Sequence, residues 1–342
     1  MRRRASLVLI GLAAFLAAFG LLMHWYVYPR VAAIPDNQYQ VEVLTADDAT
    51  LIDYSTMTSR PHQKVTIVQT LKGDAAAAQR YRKQTGRDVV VWDSLSYILD
   101  THKKMLSAIP ETYVFDARTQ VPVHCCGESV DGDRVSRSGI EFKFPFGTQC
   151  RDYQYYDPQT RSSAPIHCRG RTTYDGVPAL LFEETVPWTR VPFPKHVAVA
   201  GITPAQINAM GMQRWYTTVR RFWIDPVTGA PLQGTEQHDE EMRFAAAAGQ
   251  PAKPPVTIFK GYVHIRPDFL ASTDALVKKE RTLVLALSAY VPWGMGAAAL
   301  LVLALALWLE ARDRLRRAPA VEAVEGVVVS AAGVGPPGGD GG

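Results

Sequence analysis

The chain has 342 residues, of which 47% are hydrophobic and 20% are charged, and its formal net charge is +4. Seven arginines lie at the two ends of the chain, so residues 30–281 carry a net charge of only about +2. A domain this close to neutral lacks the basic surface of nucleic-acid-binding proteins. The chain contains no phosphate-binding loop, dinucleotide fingerprint, kinase motif or HExxH sequence, so neither catalysis nor a cofactor is expected.

The first predicted element is a transmembrane helix at residues 7–28, a segment without Asp, Glu, Lys or Arg. A helix of this length rises about 33 Å, which matches a hydrocarbon core of about 30 Å. Three arginines precede it, so the positive-inside rule places residues 1–6 in the cytoplasm. The alternative is a signal peptide cleaved after residues 31–33. The apolar run is longer than a signal core and ends in WYVY, which favours an uncleaved anchor.

Residues 30–281 are predicted to form an extracytoplasmic domain of mainly antiparallel β structure with a few short helices. Five runs are rich in Val, Ile, Tyr, Trp and Thr and alternate in part between apolar and polar residues: 64–71, 88–99, 176–186, 213–224 and 259–265. Residues 203–212 predict a short helix capped by Thr203, with Pro204 at its first position. Residues 73–88, with a helical turn, and 244–255 are predicted as loops.

One turn pattern occurs three times in this domain. An aromatic strand is followed by Asp, two residues, Thr and a return strand, beginning at Asp116, Asp157 and Asp225. Asp accepts hydrogen bonds from the backbone N–H groups that follow it, so the pattern predicts three β-hairpins. The alternative is that these are copies of one duplicated unit, which would divide the domain into pseudo-repeats at about 35–145 and 146–270.

Four cysteines fall within a short stretch: Cys125, Cys126, Cys150 and Cys168. In an exported domain, paired thiols close into disulfides. A bond between adjacent cysteines is disfavoured, and adjacent side chains of a strand point to opposite faces. The favoured pairings therefore link Cys125 and Cys126 to Cys150 and Cys168, one bond each, with the connectivity open. His124 and His167 would suit a metal site, but the C-x2-4-C spacing of zinc sites and the C-x-x-C spacing of redox sites are absent, so no metal is expected.

Two further clusters have both a functional and a structural interpretation. The segment QHDEEMR (237–243) could bind a divalent cation through His238, Asp239, Glu240 and Glu241, but a charge run after a hairpin strand is more often a solvated face. Four aromatic residues could line a lipid pocket, although a place in the core is favoured: Trp188, Trp215, Phe222 and Trp223.

The last predicted elements are a second transmembrane helix at residues 283–309 and a cytoplasmic, largely disordered tail at 310–342, which ends in a run of Gly and Pro. Four arginines follow this helix, and they outweigh the mixed cluster KKER at 278–281 on its other side. Pro292 and Gly294 predict a kink or an outer boundary. The expected topology is a two-pass cell-membrane protein with both termini in the cytoplasm and residues 30–281 outside.

Three segments carry a resemblance to a known family: 143–166, 174–189 and 221–234. Together with the two-span topology, they resemble actinobacterial membrane proteins labelled "porin PorA family", over most of residues 1–312. This resemblance implies a protein of the cell envelope and brings no catalytic residues; the four cysteines look like a local addition to the family pattern. The sequences YDGVPALLFEE and FWIDPVTGAPL are also similar, more weakly, to LolA-like lipoprotein carriers. That likeness implies a half-barrel, with a sandwich as the alternative.

Three functions remain open at this stage. The first is binding or handling of a lipid or another apolar envelope component, because anchoring at both ends holds the domain close to the bilayer. The alternative is a non-catalytic scaffold that docks another envelope protein. The third is a porin-type channel. Porins need many strands of about ten residues with apolar outward faces, so a channel here would have to form from assembled helices.

Overall fold

The computed structural model describes residues 2–199, 202–245 and 253–317. Thirteen strands in these ranges form one sheet, in which every named strand pair is antiparallel. In chain order, β1 to β13 are Tyr39–Asp53, Thr58–Gly73, Val89–Leu99, Met105–Asp116, Ser129–Val130, Asp133–Arg134, Tyr153–Asp157, Ser162–Tyr174, Val177–Val191, His196–Val197, Met212–Ile224, Pro231–Phe244 and Val256–Ile265. The prediction of a mainly antiparallel β domain is confirmed.

The two ends of the β domain meet in the middle of its sheet. The strand order is β6-β5-β4-β3-β2-β1-β13-β12-β11-β9-β8-β7, with β10 paired to β4. Leu44 of β1 lies opposite Ile265 of β13, so the first and last strands are neighbours. The sheet edges β6 and β7 are consecutive in the chain.

Residues 135–152 join these two edges and bridge them. The Arg137 guanidinium donates to the carbonyl of Thr112 on β4 at 3.0 Å. Three residues later, the N–H of Ile140 donates to the carbonyl of Gln154 on β7 at 2.8 Å. The sheet is therefore strongly curved, but in the described residues no strand ladder joins β6 to β7, and the sheet is not closed into a barrel.

One helix of the domain was predicted from the sequence only as a helical turn, and another was predicted correctly. Residues 73–88, predicted as a loop with a helical turn, contain the helix Ala75–Thr85. The Asp74 carboxylate caps it by accepting from the N–H of Ala77, and Gly86 ends it at φ 73°. Ala, Gln, Arg and Lys dominate the segment and have high helix propensity. The helix Pro204–Ala209 begins as predicted, with Thr203 accepting from the N–H of Gln206.

The three predicted hairpin turns share one hydrogen bond. A carboxylate oxygen of Asp accepts from the N–H of the Thr three residues later, at 3.0 Å for Asp116, 2.8 Å for Asp157 and 3.0 Å for Asp225. The predicted hairpins are confirmed for β7–β8 and β11–β12, whereas after Asp116 the chain returns along β4 only through an isolated bridge between Phe115 and Pro122. Whether they descend from a duplicated unit remains a hypothesis.

The terminal helices contain short π-helical segments. The first run is Arg2–Leu22, Met23–Val27 (π) and Tyr28–Val31, and the second is Pro267–Leu285, Ala286–Tyr290 (π) and Val291–Arg317. Within these runs, Ala5–Val31 and Pro267–Arg314 are long and apolar enough to cross a membrane. Of the predicted tail at 310–342, residues 318–342 lie outside the described residues, as do residues 246–252 of the predicted loop at 244–255. Residues 310–317 continue the second helix.

The chain divides into two compact units, one formed by the segments up to Phe19 and from Gly294 onward, the other by residues 20–293. In the first unit, the two helices approach through small residues, and the Ser6 hydroxyl donates to the carbonyl of Ala306 at 3.3 Å. In the second unit, Pro292 has no N–H to donate to the carbonyl of Ser288 four residues earlier. The Nδ1 atom of His24 lies 3.0 Å from that carbonyl and supplies a partner for it.

Candidate functional site

The inner faces of β11 and β12 carry ionisable side chains. Alternate residues of a strand share a face, and here the residues that face inward are Arg214, Tyr216 and Arg220 on β11 and Glu236, His238 and Glu240 on β12. We call these six residues the inner charged strip. Register aligns them across strands, because Arg220 lies opposite both Glu184 of β9 and Glu236 of β12.

His238 lies between two carboxylates of the strip. Its Nδ1 is 2.7 Å from Glu236 and its Nε2 is 2.8 Å from Glu240. Burial lowers the pKa of His238, but the charge of Glu240 and the hydrogen bonds to both carboxylates outweigh that effect and raise the pKa to about 9. The imidazole is therefore an imidazolium near neutral pH and donates from both nitrogens.

The two arginines of the strip are also fully engaged. Arg214 donates to Glu240 at 2.6 and 2.9 Å and to the carbonyl of Pro192 at 2.8 Å. Burial raises the pKa of Glu240, but Arg214 and then His238 lower it to about 2. Arg220 donates to Glu184 at 2.9 Å, to Asp157 at 2.8 Å and to the Tyr216 hydroxyl at 2.7 Å.

A second buried cluster lies where the sheet edges are bridged. The Arg137 side chain is 0% exposed and donates to Glu141 at 2.8 Å and to Glu111 at 2.9 Å. Glu128 accepts the backbone N–H of Arg137 at 3.0 Å. Burial raises the pKa of Glu111 to about 7 despite the neighbouring guanidinium. The interior thus holds two separate groups of paired charges.

Two cavities adjoin the inner charged strip. The larger has a volume of about 590 Å³ and the smaller about 230 Å³, and both are lined by Arg220 and Glu236. The smaller cavity also touches Arg214, His238 and Glu240. Polar groups therefore run continuously between two open spaces inside the domain.

The cysteines pair differently from the prediction. Cys150 and Cys168 form one disulfide, with Cα atoms 5.3 Å apart, and Cys125 and Cys126 form the other. The predicted links from Cys125 and Cys126 to Cys150 and Cys168 are wrong because they assumed an extended strand at the adjacent pair. Instead the chain turns there, with φ 60° at Cys126 and 89° at Gly127.

The histidines beside the cysteines contact carboxylates. The Nδ1 of His124 lies 3.0 Å from Glu128, and the Nδ1 of His167 lies 2.8 Å from Asp152. In the part of the chain that the structure describes, no three His, Cys, Asp or Glu side chains form a group that could hold a metal ion.

The charged segment 237–243 is divided between two faces. His238 and Glu240 are buried inside, whereas Asp239 pairs with Lys260 at 2.7 Å on the outer face. Glu241 pairs with Arg243 there. The prediction of a solvated face is therefore wrong for His238 and Glu240. Strand alternation, applied to this run and to the arginines of 213–224, could have grouped the residues of the inner charged strip on one face of each strand.

Of the four predicted core aromatics, Phe222 and Trp223 are half-buried and pack against the core, whereas Trp188 and Trp215 contact Arg243. Trp188 is 39% exposed, and the rings of Trp188 and Trp215 both contact the Arg243 guanidinium, with centroids 4.5 and 4.6 Å from its central carbon. Trp223 is half-buried beside Tyr174. Phe222 is also half-buried and lines the larger cavity.

The comparisons with known proteins agree on one family. A family model described as "Porin PorA" matches residues 5–308. A relative named "Porin PorA" from Corynebacterium amycolatum is 22% identical over 298 residues, covering 69% of this chain and 77% of the relative. Another "Porin PorA", from Corynebacterium resistens, is 24% identical over 220 residues, covering 54% of this chain and 53% of the relative. Because the family model matches most of its length, the chain belongs to the porin PorA family.

Proposed function

We propose that this protein is a channel of the cell envelope that passes small hydrophilic solutes or ions. The observation that carries the proposal is the inner charged strip, which runs between two cavities inside the domain. Burying ion pairs is costly, and well-packed apolar residues would often stabilise a domain at least as well. Charged walls beside open interior space are, by contrast, typical of a hydrophilic passage.

Two functions predicted from the sequence are corrected here. Lipid handling was the first prediction, and a partner-docking scaffold was its alternative. Both are wrong, because the family to which the chain belongs is named for porins, which are channel-type proteins.

Two candidate membrane spans and the family support localisation in a membrane. The outer face of the sheet carries ion pairs such as Arg221–Glu183 at 2.7 Å and Lys260–Asp239 at 2.7 Å. A lipid-facing strand would present an apolar surface instead. The membrane crossing is therefore assigned to the helices. A single pair of helices is too few to surround a water path. The channel would therefore be an assembly of several copies of this chain.

The proposed topology follows from the terminal arginines. Both termini lie in the cytoplasm, residues 30–281 lie outside, and the protein spans the cell membrane twice. No enzymatic activity is proposed, because no catalytic constellation was recognised in the sequence.

Planar-bilayer recording of the purified full-length protein tests the channel. We expect stepwise currents, because water and ions would move through discrete pores. Glu236→Gln removes a negative charge that touches both cavities, so it should shift the reversal potential in a salt gradient toward anion permeation. Asp239→Asn, three residues away on the outer face, is the matched control and should leave that potential unchanged.

The channel is rejected if folded protein, reconstituted in several lipid compositions, gives no currents. If currents appear but respond equally to Glu236→Gln and Asp239→Asn, the path does not run along the inner charged strip.

A further inference from the structure

The larger cavity has chemically distinct walls. Polar side chains of β1, β2 and the preceding loop form one side: Gln38, Gln40, Glu42 and Gln69. Aliphatic residues of the helix Pro267–Leu285 and several aromatic residues form much of the rest: Leu276, Val277, Leu283, Trp92, Phe142 and Phe146. A volume of about 590 Å³ is that of a small-molecule site.

Most charged groups that face this cavity have partners. Glu141 accepts from Arg137, and Arg220 donates to Glu184 and Asp157, as described above. Glu236 contacts His238. Glu141 keeps one buried oxygen without a hydrogen-bond partner, but its carboxylate is already paired with the Arg137 guanidinium.

The remaining cation of the cavity wall is also engaged. The Lys143 ammonium donates to the carbonyls of Phe144 and Thr228 and lies 3.8 Å from the ring centroid of Phe146. Burial, opposed by the charges of Glu280 and Asp225, lowers the pKa of Lys143 to about 7. An anionic ligand would therefore find no free, fully charged donor in this wall.

Glu42 differs from these groups and from Glu280, the other carboxylate of the wall, which is exposed to solvent. It is half-buried in the cavity wall, and among the described residues no hydrogen-bond donor or ion-pair partner contacts its carboxylate. Burial alone raises the pKa of Glu42 to about 7. A desolvated carboxylate without a partner costs free energy, and a bound cation would relieve that cost.

We propose that the larger cavity binds a small organic cation, such as a primary amine with an aromatic or aliphatic body. The Glu42 carboxylate pairs with the ammonium group, and the aromatic and aliphatic walls cover the body. This site goes beyond the proposed channel and does not depend on conduction.

Isothermal titration of the full-length protein in lipid nanodiscs, with empty nanodiscs subtracted, tests the site. The probes are 2-phenylethylamine, its neutral isostere 2-phenylethanol and the anion 3-phenylpropionate. We expect saturable binding of 2-phenylethylamine and no saturable binding of the alcohol or the carboxylate. Because a hydrogen bond to a charged group contributes about 1.5–3 kcal/mol, Glu42→Gln should lower the affinity for the amine by about tenfold or more. Asp239→Asn on the outer face should not.

The pH dependence gives a second readout. Seven ionisable groups face the cavity, namely Glu42, Glu141, Lys143, Tyr155, Arg220, Glu236 and Glu280. Affinity for the amine should rise with pH through about 7 in the wild type as Glu42 ionises, and Glu42→Gln should remove most of this rise. The part that remains reports the loss of the Lys143 charge, because the pKa of Lys143 is also about 7. Equal binding of amine and alcohol to the wild type overturns the proposal without any variant. So does an amine affinity that Glu42→Gln leaves unchanged, or the absence of saturable amine binding.

Discussion

Arg220 and Arg221 are neighbours in sequence but lie on opposite faces of β11. The Arg220 side chain is 8% exposed and pairs with Asp157 and Glu184, whereas that of Arg221 is 43% exposed and pairs with Glu183 on the outer face. Removing one partner of a buried network leaves the others charged and unpaired, while an exposed pair is screened by water. The same residue type therefore has very different energetic weight at adjacent positions.

We predict that Arg220→Met lowers the free energy of unfolding by about 3–5 kcal/mol, because Asp157, Glu184 and Glu236 all lose their counter-charge. Arg221→Met, the matched control, should cost no more than about 1 kcal/mol. Denaturant titration followed by circular dichroism measures both. Equal losses in the two variants would show that the inner charged strip does not hold the domain together.

His238 gives a pH dependence whose sign follows from its raised pKa. The folded value of about 9 exceeds the ordinary value of 6.5, so the stabilisation by the imidazolium is complete below about 6.5 and is lost as the pH rises through about 9. The difference in unfolding free energy between wild type and His238→Gln should therefore shrink over that window. Taking the difference between the two proteins removes the contributions of titrating groups that do not interact with His238. A difference independent of pH would contradict the assignment.

How much of the site the sequence could predict depends on whether the pattern is local. The alternation in 213–224 and 237–243 is readable, and it predicts which residues of each strand share a face. It does not say which face is inside. That choice depends on Glu184, Asp157 and the bridging segment around Arg137, which come from distant parts of the chain.

Two glycines with the same backbone conformation show how the turns of the domain differ. Gly86, which ends a helix, and Gly229, in the hairpin between β11 and β12, both have φ 73°. A Cβ on Gly86 would meet nothing within 4 Å, whereas one on Gly229 would collide with the carbonyl oxygens of Phe144 and Pro145. The turn at Gly229 is therefore packed against the segment that bridges the sheet edges.

We predict that Gly86→Ala costs about 1 kcal/mol of unfolding free energy, the ordinary penalty of a left-handed non-glycine residue. Gly229→Ala should cost clearly more, because the carbonyls of Phe144 and Pro145 must also move. Thermal melting of the two variants tests the difference. Similar melting temperatures would show that the hairpin does not pack tightly against the bridging segment.

At the level of elements, local chemistry was predictable and long-range pairing was not. The Asp-x-x-Thr turns and the Thr203 cap are formed by residues within three positions of each other, so the sequence displays them directly. The helix Ala75–Thr85 was underestimated although its residues favour helix. The pairing of β1 with β13 is set by packing across the whole domain, and no local pattern specifies it.

For the whole molecule, the proposed topology predicts which segments a protease can reach. A cleavable tag inserted after Ser55, in the exposed turn between β1 and β2, should be cut in intact cells stripped of outer barriers. The same tag at the C-terminus should be cut only after the membrane is permeabilised, because the arginines after the second span retain it inside. Immunoblotting follows both tags. The reverse cleavage pattern would show that the chain has the opposite orientation in the membrane.

The pairing of β1 with β13 also sets the timing of folding during synthesis. The hairpins formed by β1 to β4 can assemble early, but β1 must wait for residues 256–265, more than two hundred positions later, before its second edge is covered. During that interval the nascent domain exposes an unpaired strand edge, which in the proposed topology lies outside the cell membrane and is open to aggregation. Slow export or a truncated chain would leave the edge of β1 unpaired for longer. An envelope chaperone that shields β edges should therefore raise the yield of folded protein.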